Sequence, residues 1–138
     1  IAKKVDADGV HLGLEDIPVS EARAILGNEK IIGGTANTIA DCLMHERNGV
    51  DYIGLGPFRM TKTKIKLSPF LGLDGYREIL PKQNNRVIVP VVAIGGIRLD
   101  DIELLKRVSS IHGIAVSGLI AETEDKKDLL AAINEKLT

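Results

Sequence analysis

A chain of 138 residues is long enough for one domain with a real core, and its net charge of −1 offers no electrostatic reason to expect nucleic acid or an anionic membrane surface as partner. Aromatic residues make up only 3%, with no Trp, which argues against a stacking platform for single-stranded nucleic acid, and no apolar run is long enough to span a bilayer. The lone Cys42 excludes an internal disulfide and, set among Ile39, Leu43 and Met44, reads as a small core thiol in a reducing, cytoplasmic compartment rather than a nucleophile.

The chain opens Ile1-Ala2-Lys3-Lys4-Val5, without an initiator Met, in what reads as the tail of a helix, so a fragment is expected. Residues 9–12 form a short apolar strand followed by Gly13, and residues 19–26 a short helix stopped at Gly27-Asn28. Residues 30–34 are a second strand. The helix over 38–47 is expected to be capped by Asn37 and ended by Asn48-Gly49, with Ile39, Leu43 and Met44 on one face. A third strand over 51–55 leads into a polar loop from 56 to about 72, then a helix over 73–80. Residues 87–94 are a fourth strand, 99–108 a helix and 111–116 a fifth strand. A last helix begins near Thr123 and carries Leu129, Leu130, Ile133 and Leu137 at helical spacing.

Strands alternating with helices mean successive βα units and a parallel sheet. Repeats of about 20 to 35 residues are compact, as in a small (β/α)₈ TIM barrel. Five units are too few to close one. The expectation is therefore an α/β chain forming a single partial barrel domain over residues 1–138, roughly strands four to eight. Its first strands would be missing, and its apolar edges at 9–12 and 111–116 would be covered by an upstream segment or by another chain, for instance as a homo-oligomer.

In such barrels the chemistry lies where strands end and βα loops begin. Those places hold Gly13-Leu14-Glu15-Asp16, Gly33-Gly34-Thr35-Ala36-Asn37-Thr38, Gly54-Leu55-Gly56-Pro57 with Thr61-Lys62-Thr63-Lys64, Gly95-Gly96-Ile97, and Ser117-Gly118. Glycines let backbone N–H groups approach a phosphate, hydroxyls add donors, and lysine adds a point charge. A phosphorylated small molecule is the expected ligand. Taken singly, each feature has a plainer reading. Gly95-Gly96 can be a tight turn, 61–64 a solvated charged loop, and Asp16 a cap for the following helix. His11 can face a polar pocket instead of doing chemistry, while His45 and His112 read as structural or exposed. Their joint placement at one end of successive strands favours the site.

Several blocks, in order and spacing, resemble the thiamine phosphate synthase family: Ala7-Asp8-Gly9-Val10-His11-Leu12-Gly13 with Asp16, the 33–38 loop, Asp51-Tyr52-Ile53-Gly54-Leu55-Gly56-Pro57 followed by 61–64, and Val91-Val92-Ala93-Ile94-Gly95-Gly96-Ile97. The resemblance implies a transferase of thiamine biosynthesis that joins a pyrimidine pyrophosphate to a thiazole phosphate and releases pyrophosphate. It further implies that Asp16 resembles a Mg²⁺-binding carboxylate. Thr35 falls at a pyrophosphate contact, and Thr61, Thr63 and Lys64 resemble the loop gripping phosphate and pyrophosphate. Gly96, Ser117 and Gly118 resemble the thiazole-phosphate site. Thr35 and Lys64 are the implied catalytic contacts. The family's upstream Asn-Asp pair and Lys/Arg element are not in this chain, so the fragment alone is expected to be inactive.

Three rivals stand beside this reading. The thiazole tautomerase branch resembles Ser-x-His-Ser where this chain has Thr35-Ala36-Asn37-Thr38, and Asn37 cannot shuttle a proton near neutral pH. The second is a non-catalytic phosphate-binding fragment. A further phosphate-binding barrel enzyme fits Gly95-Gly96 but suits the 61–64 loop poorly.

Overall fold

The computed structural model describes residues 1–60 and 70–138. A 3₁₀ turn over Ala2–Val5 precedes β1 (Gly9–Leu12), α1 (Val19–Leu26), β2 (Ile31–Ala36), α2 (Ile39–Arg47) and β3 (Tyr52–Leu55). There follow α3 (Gly72–Ile79), β4 (Val91–Ile94), α4 (Asp101–Val108), β5 (Gly113–Ala115), the short α5 (Gly118–Ala121) and α6 (Lys126–Leu137). The five strands form one parallel sheet in sequential order, β1-β2-β3-β4-β5. This is the expected α/β alternation, with β1 and β5 as the two edges.

Register divides the sheet into two chemically different faces. On one, Ile32, Ala36, Ile53, Leu55, Val91 and Ala93 are fully buried beneath Val19 and Ala22 of α1, Cys42 of α2, Tyr76 and Ile79 of α3 and Leu105 of α4. Burial of an Ile or Leu of this kind contributes about 1.5–3 kcal/mol. A second cluster, Ile102, Leu129 and Ile133, joins α4 to α6. The opposite face carries His11, Gly33, Thr35, Tyr52, Gly54, Val92 and Ile94, brought onto one side by the pairings His11–Gly33, Gly33–Tyr52, Thr35–Gly54 and Gly54–Val92.

Several boundaries differ from expectation, each for a local reason. β2 runs to Ala36, so Thr35 lies in a strand and not in a loop. Gly33 and Gly34 are ladder residues whose missing Cβ atoms make room for rings. At Gly33 a Cβ would stand 2.2 Å from Tyr52 Cζ, and at Gly34 2.7 Å from His45 Cε1. β4 begins only at Val91 because Pro90 has no N–H and the N–H groups of Ile88 and Val89 donate instead to the Glu46 carboxylate. β3 begins at Tyr52, just after Asp51, whose N–H donates to Ile32 O at 2.8 Å and whose carboxylate accepts from Ile32 N at 2.7 Å and Arg23 Nη2 at 2.8 Å. β5 is an edge strand paired on one side only and covers three residues.

Helix details follow the same logic. Thr38, not Asn37, caps α2: its hydroxyl accepts from Asp41 N at 3.1 Å while Asp41 accepts from Thr38 N at 2.9 Å, a capping box. The buried face of α2 is Cys42 and His45 with Ile39 partly covered, whereas Met44 is exposed. The last helix, expected from near Thr123, is α6 and starts at Lys126, because Asp125 caps it by accepting from Asp128 N; the short α5 precedes it. Within that helix Leu130 faces solvent.

Candidate functional site

A parallel sheet places the C-terminal ends of all five strands on one rim, and the open face of the sheet leads up to it. On that face three side chains from three strands make one network. His11 Nδ1 lies 3.0 Å from the Tyr52 hydroxyl and His11 Nε2 lies 2.9 Å from Thr35 Oγ1. The His11 and Tyr52 rings approach to 5.5 Å between centroids. Gly33 and Gly54 are the floor, since a Cβ at Gly54 would stand 2.8 Å from His11 Cε1. Burial pushes the Tyr52 phenol up from its ordinary value, so it stays a neutral hydroxyl near neutral pH. The three groups can hydrogen-bond a polar ring or an anion above them without any charge of fixed sign.

At the rim, Asp16 Oδ2 accepts from Gly13 N at 2.6 Å, closing the loop after β1. It does not cap α1, whose N-cap is Pro18 without a side-chain bond. Asn37 donates through its side-chain amide to Gly56 O, tying the loop after β2 to the loop after β3. The Gly95-Gly96 turn takes left-handed backbone at φ 86° and 71°, which glycine adopts freely. A Cβ at Gly95 would also strike Pro57, at 2.7 Å.

This turn is locked to the loop after β3. Phe58 N donates to Ile94 O at 2.9 Å and Arg59 N to Gly95 O at 3.0 Å. Arg59 Nη1 reaches Gly96 O at 2.9 Å, and the guanidinium forms a two-pronged pair with Asp101 at 2.5 and 2.6 Å. The Asp101 carboxyl is held below the usual carboxylate range, chiefly by Arg59, and the Arg59 guanidinium is raised by the same bond.

The residues expected from sequence fall out as follows. Asp16, Thr35, Gly96, Ser117 and Gly118 all sit at or near the strand C-terminal ends. Of these Thr35 is the one engaged on the open face, through His11. Ser117 precedes α5 and its backbone carbonyl, not its side chain, accepts the first helical N–H groups. Thr61, Thr63 and Lys64 lie outside the described residues. Among the described residues no group of three or more His, Cys, Asp or Glu side chains gathers to hold a metal ion, and no helix is long and apolar enough to cross a membrane. Cys42 is a core thiol as expected, with burial pushing it up to about 12. His45 is structural, its Nε2–H donating to Thr35 O at 2.7 Å. His112 is structural too, its Nδ1 accepting from Val91 N at 3.1 Å.

Tyr52, Arg59 and Asp101 escaped the sequence reading. Tyr52 could have been found from the glycines at 33 and 54, which hint at rings on the same face. Arg59 and Asp101 are 42 residues apart and carry no local signal.

Known proteins fit this geometry. A family model described as thiamine monophosphate synthase matches residues 1–120. A thiamine-phosphate synthase of Flavobacterium johnsoniae is 61% identical over 138 residues, 99% of this chain and 65% of the relative. One from Phocaeicola vulgatus is 56% identical over 126 residues, 91% of this chain and 60% of the relative. The chain thus spans just under two thirds of these relatives. Among solved structures, a thiamine phosphate pyrophosphorylase from Pyrococcus furiosus superposes with a TM-score of 0.81 at 35% identity, covering 99% of this chain and 64% of that one. A 3-hexulose-6-phosphate synthase, at 15% identity and a TM-score of 0.68 over 99% of this chain and 65% of that one, shares the fold.

Proposed function

The chain belongs to the thiamine monophosphate synthase family, and from that premise we propose that the whole protein joins hydroxymethylpyrimidine pyrophosphate to thiazole phosphate, releasing pyrophosphate and giving thiamine phosphate. The observation that carries the reading is the high identity to a thiamine-phosphate synthase along the full chain. In this reading residues 1–138 are a partial barrel domain, the C-terminal units of a (β/α)₈ barrel acting in the cytoplasm. Two features support it: the share of its relatives that the chain spans, and a cleft of about 590 Å³ beside edge strand β1, lined by Val10, Leu12, Ile17, Ile25 and Leu26 with Asp16 at its margin. A further barrel unit would cover that apolar surface.

The reaction asks for little proton transfer. Departure of pyrophosphate leaves a cation on the pyrimidine methylene, which the thiazole nitrogen captures, so the protein's task is to bind and neutralise a departing anion. Thr35 offers its hydroxyl to that pyrophosphate, held in place by His11. Thr61, Thr63 and Lys64 are assigned to the same anion, and Gly96, Ser117 and Gly118 to the thiazole phosphate. Mg²⁺ is held through one or two carboxylates together with substrate phosphates. Asp16, whose Oδ2 is anchored by Gly13 N–H, fits the role of one such carboxylate. Bound there, Mg²⁺ would supply charge stabilisation for the departing pyrophosphate. Asn37 is engaged with Gly56 O and has no titrating proton, which favours the synthase over a tautomerase.

The test is thiamine phosphate formation by the full-length protein with and without Mg²⁺, beside Lys64→Ala and Thr35→Ala. Mg²⁺-dependent product, with kcat lowered on the order of 10²–10³ in either variant, is the expected result. Absence of product from the unaltered protein would overturn the reading.

A further inference from the structure

Both carbonyls of the Gly95-Gly96 turn are held by one residue. Arg59 donates its backbone N–H to Gly95 O at 3.0 Å and its Nη1 to Gly96 O at 2.9 Å. In a planar trans peptide the C=O and the following N–H point in opposite directions. Fixing these two carbonyls on Arg59 therefore turns the N–H groups of Gly96 and Ile97 away from it. The successive N–H groups of a turn in left-handed backbone form the kind of concavity that binds anions. Among the described residues neither of these two N–H groups donates a hydrogen bond.

The guanidinium is itself immobilised. Asp101, 6% exposed, takes it with both oxygens and also accepts from Arg98 N at 2.7 Å. The Phe58 ring lies beneath it, 4.7 Å from the Arg59 Cζ to the ring centroid. A two-pronged carboxylate partner of this kind directs arginine toward the protein.

We infer that Arg59 is a positioning residue for phosphate: it aims the Gly96 and Ile97 N–H groups at the anion, and Asp101 keeps its guanidinium on the turn and off the ligand. This rests on the assignment of Gly96 to the thiazole phosphate made above.

The test measures binding of inorganic phosphate and the KM for each substrate in the full-length protein, for Arg59→Ala, Arg59→Lys, Asp101→Asn and the Arg59→Ala/Asp101→Asn pair. Arg59→Ala should weaken phosphate binding and raise KM for the thiazole phosphate on the order of tenfold or more, with KM for the pyrimidine pyrophosphate within about twofold. Asp101→Asn should lose affinity in the same direction, and the double variant should be no worse than Arg59→Ala. Arg59→Lys keeps the charge and most of the packing but lacks the fork, so it should show the same selective shift if Arg59→Ala does not fold.

Product formation with no selective shift in any variant would overturn the inference while leaving the synthase reading intact. Phosphate binding that is lost in Arg59→Ala, in a protein forming no thiamine phosphate, would do the reverse. Tighter phosphate binding in Asp101→Asn would mean that Arg59 touches the ligand directly, and an unaltered protein that binds no phosphate would also overturn the inference.

Discussion

Gly34 shows how one missing side chain can support a site. The His45 ring lies over it, so that a Cβ there would stand 2.7 Å from both Cε1 and Nδ1, closer than packed atoms tolerate. His45 cannot readily yield, because its Nε2–H is donated to Thr35 O from a buried position. Gly34→Ala should therefore destabilise the protein by about 1–3 kcal/mol, read as a lower denaturant midpoint at unchanged slope. A midpoint equal to that of the unaltered protein would show that the ring moves aside at no cost. The same geometry explains what was and was not legible at this scale. The strand expected over 30–34 already took in both glycines, but that it runs on through Thr35 to Ala36 shows only in the pairing with β3. His11 stood out by its alternation with Val10 and Leu12, but its partners Thr35 and Tyr52 are set by strand register.

At the scale of elements, α2 illustrates competition between two adjacent residues of equal capping ability. Asn37 and Thr38 both suit an N-cap. Asn37 is drawn away because its amide reaches Gly56 O on the neighbouring loop, which leaves Thr38 to close the capping box with Asp41. Thr38→Ala should cost about 1 kcal/mol in a urea unfolding experiment, whereas a cap shifted back to Asn37 would leave stability unchanged. β4 makes a parallel point. Its apolar run begins at Val87, yet the ladder starts four residues later, because Glu46 on α2 takes the N–H groups of Ile88 and Val89. Hydrophobic pattern locates a strand well, but the partner that satisfies each N–H decides where it starts.

Across the whole molecule, two carboxylates fasten opposite ends of the sheet. Asp51 holds the entry to β2 and β3, its carboxyl lowered first by Ile32 N–H and then by Arg23. Asp101 holds the loops after β3 and β4, lowered first by Arg59. A carboxylate with a depressed folded-state value contributes stability that is present above its unfolded value, about 3.9, and is lost as pH falls through the folded value. Stability should accordingly decline below about pH 4, with a shallower decline in Asp51→Asn than in the unaltered protein. Chemical denaturation from about pH 6 to about pH 2, roughly two units either side of that value, would read this, and identical slopes would remove Asp51 from the explanation.

The sequence by itself determined the alternation of five strands and their helices, the parallel sheet and the rim on which candidate residues gather. These follow from periodicity and from local stop signals that act over a few residues. Only the tertiary structure decided which face of the sheet each ring occupies, why Thr35 is paired with His11, and that Arg59 reaches across to Asp101 and the Gly95-Gly96 turn. Such contacts join residues tens of positions apart, and what selects them is register between strands and the geometry of the loops they lead into. Neither leaves a mark in the local pattern of residues.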